Sequence, residues 1–253
     1  AQAARMTLAR IVAAETLDAL AAGDPAARRS RRDLRRVHRA MGTRSIMLHA
    51  WRELTASHHG AAPLRVLELG AGDGSLMLGV ARALAPASPQ VELTLLDRLA
   101  LVKPATIERY AEVGWSATAK VTDVLDWAAG ATAPPRGRTA PAAWDLIVAH
   151  LFLHHFEGAQ LAALLGAIAA RGDAFFACEP RRAWLALAGS HLVGALGANA
   201  VTREDAVLSV RAGFRAGELS ALWPARGTEW RLHEYPAGLF SHGFRAERVK
   251  ASR

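Results

Sequence analysis

Glu68, Gly70, Gly72 and Gly74 stand at alternate positions in VLELGAGDGSL, Val66 to Leu76, directly after an apolar run. Glycines spaced this way let a backbone take positive φ and pass close to a ligand. The familiar dinucleotide fingerprint is G-x-G-x-x-G, and this loop departs from it. An acid ahead of the loop would repel a pyrophosphate and suits a ligand with a positive end. Asp97 follows, 23 residues beyond Gly74, where a carboxylate can accept from both hydroxyls of a ribose. Asp123 could accept from an adenine amino group. His150, His154, His155 and Glu179 are groups suited to moving protons near neutral pH. Cys178 sits in an apolar run and reads as structural. One cysteine, with no suitable histidine spacing, predicts no metal cluster and no internal disulfide.

These residues need a scaffold, and the hydrophobic pattern supplies one. LRVLEL from Leu64, VELTLLD (Val91 to Asp97), Ser116 to Thr122, WDLIVAH (Trp144 to His150) and DAFFACEP (Asp173 to Pro180) are short apolar runs of the kind that form buried strands. Helical segments separate them: Ser75 to Leu84, stopped by Pro86 and Pro89; Ala105 to Val113; and a stretch running through Ala170. This alternation predicts an α/β fold, a doubly wound and mostly parallel sheet. Ligands bind such sheets at the carboxyl ends of the strands, where the glycine loop falls. ATAPPRGRTAP (Ala131 to Pro141) reads as an irregular insertion. EWRLHEYPAG and LFSHGFRAERV read as an antiparallel pair joined at a Pro-Ala-Gly turn.

Residues 5 to 57 read as helices, with Leu34, Val37, Met41, Leu48 and Trp51 at helical spacing and a break at Gly23-Asp24-Pro25. Ala183 to Val201 carries no charge over 19 residues. Its glycines, Ser190, His191 and Asn199 weigh against a membrane span and favour a buried or lid helix; His191 there reads as a core residue.

Of 253 residues, 51% are apolar, enough for one α/β domain with a substantial core. The net charge of +8 comes from 31 basic residues, three of them lysine. Arginine with abundant alanine reads as compositional bias more than as a nucleic-acid footprint, and RRSRRDLRR (Arg28 to Arg36) as a solvated helix face. The residues ahead of Met6 read as an expression remnant. The N-terminal stretch lacks a signal-peptide core, and a cytoplasmic location is expected.

A ligand with ribose, adenine and positive charge but no phosphate is S-adenosylmethionine. At this point the chain resembles the class I S-adenosylmethionine-dependent methyltransferases. ELGAGDG matches their first motif, LLD the acid after strand two, VTDVLDW the adenine-side motif, and WDLIVAHLFLHHF the strand-four segment; the terminal hairpin matches their final strands. The style is similar to quinone-biosynthesis and natural-product enzymes. The resemblance implies a seven-stranded Rossmann-like sheet with an N-terminal helical lid (residues 1–60), a catalytic domain (61–253) and a helical acceptor-pocket insertion (185–225). It implies that Gly70, Ala71 and Gly72 line the methionine part and that Glu68 braces the loop. Asp97 would hold the ribose, Asp123 and Val124 the adenine. His150 would lie near the sulfonium, and Arg44 would reach the carboxylate from the lid. His154, His155 and Glu179 are the candidate bases. The acceptor would be a small aromatic or lipid-like molecule, methylated on oxygen or carbon, with peripheral membrane contact open and the oligomeric state unspecified. Two alternatives stand: an RNA or protein methyltransferase using the basic helix, and a non-catalytic accessory subunit.

Overall fold

The computed structural model describes residues 8–56, 62–85, 90–130, 143–224 and 229–249. The expected stops at Pro86 and Pro89, the insertion Ala131 to Pro141 and the residues ahead of Met6 lie outside them.

In chain order the elements are α1 (Thr16–Ala19), α2 (Pro25–Ala40), α3 (Thr43–Thr55), β1 (Leu64–Leu69), α4 (Ser75–Leu84), β2 (Val91–Asp97), α5 (Pro104–Ala111), β3 (Trp115–Val121), α6 (Val124–Ala129), β4 (Trp144–His150), α7 (Gly158–Arg171), β5 (Gly172–Pro180), α8 (Trp184–His191), α9 (Ala200–Ala212), α10 (Glu218–Leu222), β6 (Trp230–Ala237) and β7 (Ser241–Arg248). The seven strands form one sheet in the order β3-β2-β1-β4-β5-β7-β6. All pairings are parallel except those of β7, which runs antiparallel to β5 and β6.

Strand side chains alternate between faces, so each central strand feeds two cores. Leu67, Leu69, Ile147, Phe175 and Ala177 pack under α6 and α7. Val66, Val148, Phe176 and Cys178 pack under α3 and α4. Glu68 and His150 share this second parity and are carried to the same face of the neighbouring strands β1 and β4.

The N-terminal region departs from an all-helical expectation. Residues 8–15 have no helix, and α1 is four residues long. This extended strap is tied down by side chains. The Arg10 guanidinium donates to the carbonyls of Ala212 and Phe156, each at 2.8 Å, and lies over the Phe214 ring. Asp205 accepts the backbone N–H of Thr16 at 2.8 Å and of Leu17 at 2.9 Å. Helix α2 begins at the expected break: the Asp24 side chain accepts from the N–H groups of Ala26 and Ala27, with Pro25 in the first turn. Gly42, at φ 68°, ends it and starts α3 in a new phase.

Two further boundaries move. Ala183 to Val201 is no single helix; α8 ends at His191, a 3-10 turn spans Val193–Leu196, and Gly197 at φ 76° redirects the chain. No helix of the described residues is long and apolar enough to cross a membrane. Pro236 and Ala237 belong to β6, and the hairpin turns at Gly238 instead. β6 is an edge strand, where a proline costs no ladder bond.

Candidate active site

At the carboxyl ends of β1, β2 and β4 lies a cavity of about 370 Å³, roofed by α2 and the strap. Gly70, Ala71 and Gly72 form one wall and Asp97 another. Asp123, Val124 and His150 complete the floor. Residues from Gly70 to His150 thus meet because four neighbouring parallel strands, β1 to β4, end together.

The glycine loop is held by the acid after β2. Asp97 accepts the Gly72 N–H at 2.8 Å and the Leu99 N–H at 2.9 Å, one on each oxygen. A carboxylate oxygen has a second lone pair, so each retains one for a ligand. Burial raises the Asp97 pKa against these two bonds. In front of Gly72 a Cβ would meet nothing within 4 Å, so the glycine faces open cavity. Gly70, at φ 68°, is different: a Cβ there would collide with the Phe152 ring. Gly70→Ala is expected to cost about 1–3 kcal/mol, from left-handed backbone strain and displacement of an aromatic ring. A thermal melt reads it; an unchanged Tm would mean that Phe152 can swing away freely.

Glu68 lies beneath this loop and off the cavity wall. It is fully buried, and burial, with the charges of Asp97 and Asp73, raises its pKa well above the ordinary range. Its Oε1 is 3.3 Å from His150 Nδ1, yet neither makes an aligned hydrogen bond. Burial and the nearby His38 lower His150 to about 3, and burial lowers His38 to about 4. Two neutral imidazoles therefore face each other edge to face, 6.0 Å apart.

Arg44 does not reach this cavity. It lies across α4, its Cδ 3.3 Å from where a Gly79 Cβ would be. The lid arginines on the cavity wall are Arg31 and Arg35, and Arg35 also bridges to Asp73 of the glycine loop at 2.9 Å. The chain turns at Gly42, φ 68°, between α2 and α3, and Arg44 belongs to α3.

The histidines after β4 sit in a relay. Glu179 accepts the backbone N–H groups of Phe152, Leu153 and His154 and touches His154 Nδ1 at 2.8 Å. It is fully buried and reaches neither cavity. On the other side, His154 Nε2 is 3.3 Å from Glu15 of the strap. Burial alone would lower the pKa of His154, but the bonds to Glu15 and Glu179 outweigh it and push it to about 9. His154 is thus an imidazolium between two carboxylates. Burial and that charge lower the pKa of His155 beside it. Glu15, His154 and His155 present three ligating atoms within 4.8 Å of one another, a grouping the cysteine count did not anticipate. Both ring nitrogens of His154 already face carboxylates, Glu179 at Nδ1 and Glu15 at Nε2. Cys178 is fully buried, its pKa raised by burial to about 12, consistent with an inert thiol.

A second cavity of about 390 Å³ lies between α2, α8 and α9, with a nearly apolar lining that includes Val37, Met41, Val193 and Phe240. The two cavities share Glu15, Leu17, Leu34, Leu151 and Ser209. Glu15 is the carboxylate at this junction, and it accepts a hydrogen bond from Ser209. Leu151, also there, is the one non-glycine residue with positive φ (47°) among those described. Such strain is maintained only where surrounding structure enforces it; here its N–H is fixed to the Cys178 carbonyl at 2.9 Å. Glu15, His38, Arg35 and Ser209 carry no motif in the sequence and emerge only from the fold.

No family model matches the chain, and no curated protein matches it. Solved structures do. The plantazolicin methyltransferase BpumL, in complex with a monoazolic desmethylPZN analog and SAH, superposes with a TM-score of 0.60 at 13% identity, covering 89% of this chain and 91% of that one. BamL, a second plantazolicin methyltransferase, gives 0.57 at 16% identity, covering 85% and 90%. The chain has the class I methyltransferase fold. Within that fold, the glycine loop, Asp97 and Asp123 stand around one cavity, and α2, α8 and α9 build much of the second. The methyltransferase fold implies S-adenosylmethionine, and this chain fits it on its own geometry: lone pairs on Asp97, open space before Gly72, and a buried carboxyl and imidazole without hydrogen-bond partners under the loop.

Proposed function

We propose that the protein is an S-adenosylmethionine-dependent methyltransferase acting on a small acceptor with a large apolar part. The observation that carries this reading is the junction of the two cavities, one polar and built on the glycine loop, the other apolar and built from lid helices. Transfer between two bound molecules gains most from holding them in line, and two cavities meeting at one wall do that.

When bound, the cofactor supplies an electrophilic methyl group. The chain's own residues do the rest. Asp97 holds the ribose hydroxyls, Asp123 and Val124 the adenine edge, and Arg31 and Arg35 face the carboxylate. Neutral His150 and His38 leave the region beside the sulfonium uncharged. The acceptor, a phenol or enol, must lose a proton when it is methylated. Glu15 stands where that proton is released, with the His154 imidazolium stabilising its carboxylate form.

Calorimetric titration with S-adenosylmethionine and S-adenosylhomocysteine tests the reading. Micromolar binding of both is expected; folded protein that binds neither would remove it. Asp97→Ala is expected to weaken binding by roughly 1.5–3 kcal/mol, the range for a hydrogen bond to a charged group. Unchanged affinity would place the ribose elsewhere.

A further inference from the structure

Beside the apolar cavity runs an open groove of about 600 Å³ between α2 and the 3-10 turn Val193–Leu196. It is lined by Arg29, Arg32, Asp33, Arg36, Leu196 and Gly197. Leu196 belongs to both the groove and the apolar cavity. The groove holds three guanidinium groups and one carboxylate, and that carboxylate is spent. Asp33 is buried, with Oδ1 accepting from Arg36 at 2.9 Å and Oδ2 from the Asn199 N–H at 2.9 Å. Arg29 and Arg32 have no carboxylate partner among the described residues. Gly197 keeps the wall bare, since a Cβ there would stand 3.7 Å from the Arg36 guanidinium.

On the reading proposed above, an acceptor in the apolar cavity has its reacting end at Glu15 and Ser209 and its far end at Leu196. The geometry points to an amphiphilic acceptor whose apolar body ends in an anionic group, held by Arg29 and Arg32 at the cavity mouth. A carboxylate, sulfate or phosphate suits the guanidinium fork. The rim separates this ligand from a polyanion. Leu192 is 69% exposed and Leu196 43% exposed on the same turn. A nucleic-acid backbone has no use for that apolar surface, whereas an amphiphile uses both it and the arginines.

Dodecanoate below its micellar concentration, and dodecanol, are the probes, titrated calorimetrically into the protein alone and into the protein loaded with S-adenosylhomocysteine. Dodecanoate is expected to bind about tenfold more tightly than dodecanol. Arg29→Gln with Arg32→Gln should erase that preference and leave the affinities for dodecanol and S-adenosylhomocysteine unchanged. Equal affinity for the two probes, or a preference surviving the double substitution, overturns the subsite. Vesicles of phosphatidylglycerol and of phosphatidylcholine separate the two sources of an anion. Sedimentation with the anionic vesicles by a protein indifferent to monomeric dodecanoate assigns the arginines to a lipid surface and also overturns the subsite. Loss of the methyltransferase reading shows as absent S-adenosylhomocysteine binding. Loss of the subsite leaves that binding intact and removes only the charge preference.

Discussion

Glu179→Ala is expected to destabilise the fold by about 3–5 kcal/mol, the range for a buried charge that loses its partner. Three backbone N–H groups after β4 and the His154 ring lose their acceptor together. Glu179→Gln keeps the volume and isolates the charge, which makes the pH dependence informative. The groups facing His154 are Glu15, Glu179 and His155, with Arg10 and Asp18 nearby. His154 titrates near 9 in the fold, against about 6.5 when unfolded. Its contribution is therefore complete below about pH 6.5 and is lost as pH rises through about 9. Glu15 and Glu179 have the opposite sign: burial would raise them, but His154 holds both below the ordinary carboxylate range. Their contribution is present above that range and is lost as the medium turns acid. Urea unfolding at pH 6.5 and 9.5 should show wild type losing stability across the interval and Glu179→Gln losing much less. The same alkaline loss in both proteins would show that the relay is not its source.

Glu15→Gln is expected to lower methyl transfer about 100-fold, the lower end of what a positioned proton acceptor contributes. Affinity for S-adenosylhomocysteine should stay within about twofold, because Glu15 borders the first cavity only at its junction with the second, away from Asp97, Asp123, Arg31 and Arg35. The strap itself should hold, since Arg10 and Asp205 fasten it independently of Glu15. The measurement is transfer of labelled methyl to a phenolic acceptor that wild type turns over, as a function of pH. A rate limb present in wild type and absent in the glutamine variant marks Glu15 as the proton acceptor. Equal rates, with the same pH profile, would leave it a mere fastening of the strap.

The sheet and the first cavity were largely legible in the residues. Buried parallel strands appear as uninterrupted apolar runs, and LRVLEL, VELTLLD and WDLIVAH begin and end where the structure has β1, β2 and β4. Gly70, Gly72 and the acids Asp97 and Asp123 then land around one cavity because strand ends fix them. The strap was not legible. Residues 8–15 have no period, and their position is set by Arg10 and Asp205 reaching across the fold, partners that spacing does not encode. For the same reason Glu15 carried no signal, while Glu179 did and yet lies sealed behind the loop. Arg44 lies off the cavity for a local reason: Gly42 turns the chain between α2 and α3, and the arginines of α2, not those of α3, line the wall.

Helix α2 borders all three hollows, with Arg31, Arg35 and His38 on the first, Val37 and Ala40 on the second, Leu34 where those two meet, and Arg29, Arg32 and Arg36 on the groove. Successive residues on a helix are turned by about 100°. Exchanging residues within any one of these rows retunes a single hollow. Inserting or deleting one residue would instead rotate every following row onto its neighbour's territory, bringing guanidinium groups into the apolar chamber and leucine to the water. The helix therefore works like a key cut on three sides, tolerant in its teeth and intolerant in its length.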